Sequence, residues 1–164
     1  MTDRGDSAPR PWRIRIENGP AFEVDPGEDS LLRGALRAGL PLPYECSVGG
    51  CGCCRFELLE GTMQTLWAEA PGLSARDRQR GRRLACQSRP TGDAHIRLRL
   101  DTPDEPALAP RRMTVELVQR RAITADMGEF GFRLPQPTAF RPGQSALLYL
   151  PGVNGARAPS LSHA

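Results

Sequence analysis

Lysine is missing altogether: all 22 basic residues of this 164-residue chain are arginine. With acids spread among them, the absence points to a GC-rich coding sequence rather than to a binding requirement. The net charge is only +3, and it divides unevenly, −1 over residues 1–105 and +4 over residues 106–164. Neither part carries the dense basic patch that nucleic-acid binding needs. Long apolar runs are absent too. The longest near the end, Ala146 to Leu150, is far too short for a membrane-spanning helix. Met1 to Pro11 is polar and lacks the apolar centre of a signal peptide. No internal repeat is visible, and there is no G-x-G-x-x-G or other candidate nucleotide-binding loop. The expectation is a soluble cytoplasmic protein with reduced thiols and no nucleic-acid or membrane partner.

What the chain has in quantity is turn-forming residues, 17 glycines and 16 prolines, which imply short elements. Trp12 to Glu17 alternates Arg13 and Arg15 with Ile14 and Ile16, and Phe22 and Val24 resume that period after a turn at Asn18-Gly19-Pro20. This pattern predicts a β-hairpin with one buried face. Asp29 or Ser30 can cap a helix running to about Ala38, with Leu32, Ala35 and Leu36 inward and Gly39 and Pro41 as the stop. An irregular glycine-rich loop, Pro43 to Cys54, leads to a strand from Arg55 to Leu59. Ser74 with Asp77 forms a capping-box pattern for a short helix, Ala75 to about Gln79. Arg76, Arg78, Arg80, Arg82 and Arg83 make a local basic run there, which reads either as a solvated surface or as a docking patch. His95 to Leu100 alternates as a closing strand.

That order is the order of an α+β β-grasp domain, a mixed sheet wrapped over one helix, at residues 11–101. Residues 102–110, rich in proline, acid and alanine, read as a linker. In residues 111–164, the sets Met113/Val115/Leu117, Phe130/Phe132/Leu134 and Ala146/Leu148/Leu150 suggest the first strands of an antiparallel barrel. The sequence stops before such a barrel could close.

The chemistry is in the cysteines. Cys46-x4-Cys51-x2-Cys54 puts three thiols in one loop, and Cys86 comes after 31 intervening residues. This is the spacing of a plant-type [2Fe–2S] centre. Gly49, Gly50 and Gly52 let the loop backbone turn its N–H groups toward the sulfurs, offsetting their negative charge. A structural zinc site takes paired knuckles, and here the second half offers Cys86 alone. A Rieske centre needs two histidine ligands, yet His95 and His163 lie outside any Cys-x-His arrangement. A disulfide framework conflicts with the odd count of 5 cysteines. Cys53 breaks the ligand spacing and reads as a small loop residue.

The segments Tyr44-Glu45-Cys46, Gly49-Gly50-Cys51-Gly52, Cys54, Glu57-Leu58-Leu59-Glu60-Gly61, Leu66-Trp67, Ala70-Pro71-Gly72-Leu73, Ala75-Arg76 and Leu84-Ala85-Cys86-Gln87 resemble the reductase components of bacterial multicomponent oxygenases, those of toluene monooxygenases above all. The resemblance runs over residues 12–164 and is most specific from 44 to 87. It implies a ferredoxin-type domain followed by FAD-binding and NAD-binding domains. NADH would reduce FAD, and single electrons would pass through the cluster to an oxygenase component or a partner ferredoxin.

Phe140-Arg141-Pro142-Gly143-Gln144 resembles the family's turn into a barrel strand, and Arg157-Ala158-Pro159-Ser160 resembles its flavin motif Arg-x-Tyr-Ser. The resemblance would set Arg157 against a phosphate and Ser160 beside the flavin. Pro159 and Ser145 stand where the family has tyrosines, which counts against tight FAD binding. A working half-site and a vestigial, truncated FAD domain are both open. So are a reductase component lacking its NAD domain, a stand-alone ferredoxin-like carrier served by a separate flavin reductase, and, from another class, a structural zinc module.

Overall fold

The computed structural model describes residues 10–102, 110–138, 144, 146–153, 157, 159 and 161. The chain divides into two compact units, Met1–Pro110 and Arg111–Ala164.

In the first unit, β1 (Trp12–Ile16) and β2 (Ala21–Val24) form the expected hairpin. Asn18 takes the left-handed turn at φ 56°, a conformation asparagine tolerates better than most residues. The alternation places Ile14, Ile16, Phe22 and Val24 on the buried face. Helix α1 (Leu31–Arg37) follows, capped by the Ser30 side chain, which accepts from the Arg33 N–H. Its Leu31, Leu32 and Ala35 are fully buried. Gly39, at φ 77°, ends it.

β3 (Arg55–Thr65), α2 (Ala75–Gln79), β4 (Arg82–Leu84), a short 3-10 turn at Ala85–Gln87, and β5 (Ser88–Arg97) complete the unit. The sheet order is β2-β1-β5-β3-β4. β1 and β5 run parallel while the other pairs are antiparallel, so this is the mixed sheet of a β-grasp.

Two strands are longer than the alternation indicates. β3 continues to Thr65 through register shifts at Leu58/Glu60 and Gly61/Met63. Gly61, at φ 93°, accommodates that kink, and a Cβ there would lie 2.3 Å from the Asp93 carbonyl oxygen. β5 begins at Ser88 and ends at Arg97, short of Leu100. Its Pro90 and Gly92 read as loop residues, yet Pro90 pairs only with β3, since the β1 ladder spans Ala94 to Ile96. The missing N–H of Pro90 therefore breaks no ladder bond on the β1 side. β4 was not anticipated.

In the second unit β6 (Glu116–Ala122) and β7 (Gly128–Arg133) form an antiparallel hairpin. β6 begins after Met113 and Val115, and of the expected third strand the described residues show one bridged pair, Leu148 with Arg157. Leu117, Val118, Phe130 and Leu134 remain largely exposed, so the hairpin has no core of its own.

Gly34 marks the tightest approach of α1 to the sheet. A Cβ there would come within 2.6 Å of Val24 Cγ2. Gly34→Ala should therefore lower stability by about 1–3 kcal/mol, even though alanine is the better helix former by about 1 kcal/mol. In a Val24→Ala background the same change should stabilise. Urea midpoints of the four proteins check this, and additive effects would mean that the two residues do not meet.

Candidate metal centre

The end of α1 delivers the chain into the cysteine loop. Leu42 is buried and anchors it, and left-handed residues then turn it: Ser47 at φ 60°, Gly49 at 91° and Gly52 at 79°. These turns aim backbone N–H groups at sulfur. The Cys46 Sγ accepts from Val48 N (3.5 Å), Gly50 N (3.2 Å) and Cys51 N (3.3 Å). The Cys51 Sγ accepts from Cys53 N at 3.4 Å. Such a nest suits an anion.

Cys54 and Cys86 lie deeper. Both are buried, and their sulfurs are 3.4 Å apart. Cys54 sits at the mouth of β3, Cys86 in the 3-10 turn between β4 and β5, and the Ala85 N–H donates to the Cys54 carbonyl at 2.9 Å. The fourth thiol, distant in sequence, is thus brought to the loop by sheet pairing.

A second loop braces the first. The Gly72 N–H donates to the Gly49 carbonyl at 2.9 Å, and a Cβ on Gly52 would lie 2.4 Å from the Gly72 oxygen. Backbone meets backbone there, so neither residue has room for a side chain. Arg78 holds the bracing loop from the other side, donating to the carbonyls of Ala68 (3.2 Å) and Ala70 (2.9 Å). Ser74 and Asp77 form the expected capping box at the head of α2. Bonding to Ser74 and then to Arg82 holds the Asp77 carboxyl well below the usual carboxylate range.

These surroundings favour the thiolate at Cys51 and Cys54 and the thiol at Cys53 and Cys86. The hydrogen bond shared with Cys86 lowers the Cys54 thiol to about 6 against the opposing effect of burial. Cys86 is raised by the same shared proton and then by burial. Burial pushes Cys51 up, but hydrogen bonds with Cys46 and Cys53 outweigh it and leave the thiol at about 7. Cys53 is raised to about 11, chiefly by its hydrogen bond to Cys51, with burial adding. The donor set, four cysteines with N–H groups on the outer pair and a common proton on the inner pair, fits a group that binds thiolate sulfur.

One grouping was not foreseen. The ligating atoms of Glu45, Cys51 and Cys53 lie within 4.8 Å of one another. By spacing Cys53 reads as a small loop residue, yet its thiol lies close to that of Cys51. In the second unit, Arg157 is bridged to Leu148, its N–H donating at 2.9 Å and its carbonyl accepting at 2.8 Å. Ser160 and Ser145 lie outside the described residues.

Residues 15–91 match the family described as the 2Fe-2S iron-sulfur cluster binding domain. The chain is 45% identical over 146 residues to ferredoxin–NAD(P)(+) reductase CarAd of Metapseudomonas resinovorans, covering 87% of this chain and 44% of that protein. It is 33% identical over 141 residues to the xylene/toluene monooxygenase electron transfer component XylA of Pseudomonas putida, covering 86% and 39%. The solved ferredoxin reductase in carbazole 1,9a-dioxygenase superposes with a TM-score of 0.85 at 41% identity, over 94% of this chain and 48% of that one. The chain thus spans under half the length of these relatives.

Replacing Cys46, Cys51, Cys54 or Cys86 with alanine should each remove most of the bound iron and acid-labile sulfide, by about tenfold, since loss of one thiolate opens an iron to water. Cys53→Ala should keep both. Iron and sulfide assays, with EPR after reduction, discriminate. A full-strength centre in any of the first four variants would take that residue out of the ligand set.

Proposed function

With the chain a member of the oxygenase reductase family and carrying its 2Fe-2S iron-sulfur cluster binding domain, we propose that it passes single electrons through a plant-type [2Fe–2S] centre held by Cys46, Cys51, Cys54 and Cys86. The observation that carries this reading is the pairing of those residues: the Cys54 and Cys86 sulfurs lie 3.4 Å apart, and the Cys51 N–H donates to the Cys46 sulfur at 3.3 Å. When bound, such a centre takes up and returns one electron at a time. Around it, the N–H groups of Val48, Gly50, Cys51 and Cys53 disperse sulfur charge. The buried Cys54–Cys86 side excludes water, and the exposed Cys51 side is the edge nearest a partner.

In the complete system the electrons would come from NADH by way of FAD and go to an oxygenase component or partner ferredoxin. The match to CarAd runs over 146 residues, well past the ferredoxin-type domain, which supports residues 111–164 as the opening of the FAD-binding domain. Arg157, on its bridge to Leu148, and Ser160 would serve that flavin. Among the described residues no helix is long and apolar enough to cross a membrane, in keeping with a cytoplasmic location. The division into a cluster domain at 11–101, a linker at 102–110 and a partial flavin domain at 111–164 accords with the two compact units.

The test is reduction of the iron-loaded chain. Dithionite should bleach its visible absorption with one electron per chain and produce an EPR signal. NADH, which delivers a two-electron hydride, should not bleach this 164-residue chain, with or without added FAD, because hydride transfer needs a nicotinamide held against a flavin. Failure with dithionite would overturn the electron-transfer reading, and rapid bleaching by NADH would put a nucleotide site in residues 111–164. A fragment ending at Asp104 should still hold iron. If it cannot, the domain division is wrong.

A further inference from the structure

The exposed edge of the cysteine loop is apolar. Tyr44, Val48, Leu66 and Trp67 are each about two-fifths exposed beside it. Val48 donates its N–H to Cys46, and the Trp67 ring lies against Gly49, with Cε3 3.3 Å from where a Cβ would stand.

Beyond Trp67 the surface turns basic. A shallow groove of about 260 Å³ is lined by Trp67, Leu73, Arg78, Arg82, Arg83 and Gln87. Its Gln87 also touches the cysteine loop, Cγ lying 3.0 Å from the same Gly49 position. Asp77 is committed to Arg55 and Arg82. Arg78 binds only carbonyls, and Arg83 binds the Met63 carbonyl and the Thr65 hydroxyl. Arg76 and Arg80 are exposed. Among the described residues none of Arg76, Arg78, Arg80 and Arg83 has a carboxylate within ion-pair distance. Against these four cations stand Glu45 beside Cys51 and the exposed Glu69. Arg78 and Arg83 thus bring positive charge into the groove beside Trp67, one side chain away from the loop that holds the thiols, and Arg76 and Arg80 add exposed positive charge in the adjoining α2 segment.

We propose that the Trp67 edge together with Arg76, Arg78, Arg80 and Arg83 is the docking face for an acidic patch on the protein that takes electrons from this chain. The proposal rests on the electron-transfer reading above. Aromatic and arginine side chains next to a cofactor edge supply the desolvated centre of an interface, and a rim of one charge sign steers an oppositely charged partner and fixes its orientation. The basic run is thus a recognition surface rather than a solvated helix face. It selects against basic acceptors as well as for acidic ones.

Poly-L-glutamate serves as the acidic probe. The iron-loaded chain is reduced with dithionite, freed of excess, and mixed with ferricyanide in a stopped flow. Each chain gives up one electron, and each ferricyanide becomes one ferrocyanide. At low salt poly-L-glutamate should slow that oxidation about threefold or more, and about 0.5 M salt should abolish the effect by screening. Arg76→Glu/Arg80→Glu, whose side chains hold no structural contact, should lose the slowing, and Arg76→Gln/Arg80→Gln should weaken it. An unchanged visible spectrum confirms the centre in each, and the glutamine pair decides if the glutamate pair does not hold iron. No slowing in the parent chain, or equal slowing in the variants, overturns the docking face. A chain that dithionite cannot bleach overturns the electron-transfer reading instead, so the two failures are distinct.

Discussion

Thiols gathered into a partly dry loop set the hardest electrostatic demand on this molecule, because each thiolate repels the next and gives up hydration. The N–H···S bonds to Cys46 and Cys51 answer it with fixed dipoles. To point those dipoles inward the backbone must enter left-handed conformations at Ser47, Gly49 and Gly52. A loop turned so tightly presents its own carbonyls outward, and Gly72 takes one of them. The glycines at 49, 52 and 72 are therefore parts of one arrangement, and sulfur chemistry rather than chain flexibility accounts for them.

The same demand reaches into the surrounding fold. The Gly72 loop is held by Arg78, which projects from α2, and α2 is fixed at its head by Ser74 and Asp77. Asp77 in turn gathers Arg55 from β3 and Arg82 from β4. A helix of 5 residues, too short to persist alone, is thereby kept in place from both sides. With Asp77 so engaged, Arg76 is left, among the described residues, without an acidic partner.

Elements with strong periodicity were legible in the sequence: the β1–β2 hairpin from its alternating isoleucines, α1 from its Leu32/Ala35/Leu36 face, α2 from the Ser74–Asp77 pair. Spacing singled out four cysteines, and the structure sets Cys54 against Cys86 and the Cys51 N–H against Cys46. The later half of β3 and the start of β5 were not, since Gly61, Pro90 and Gly92 are ordinary loop residues unless a bulge and an open strand side accommodate them. Nor could spacing reveal Glu45 and Cys53 beside Cys51, or the Gly72 brace, because both arise from how two irregular loops meet. In the second unit the alternation of Met113 and Val115 continues that of Leu117 but finds no bridging partner among the described residues, and β6 starts at Glu116.

The parallel pairing of β1 with β5 has a consequence for how the molecule is made. Ile14 and Ile16 find their partners at Ala94 and Ile96, which leave the ribosome long after the hairpin does. Until then the sheet lacks its central strand, and a pairing so distant in sequence is slow to close. Cys46, Cys51 and Cys54 therefore emerge well before anything can confine them, while Cys86 emerges just ahead of the strand that locks the sheet. Translation itself thus separates the time when the thiols can be reached from the time when they are enclosed.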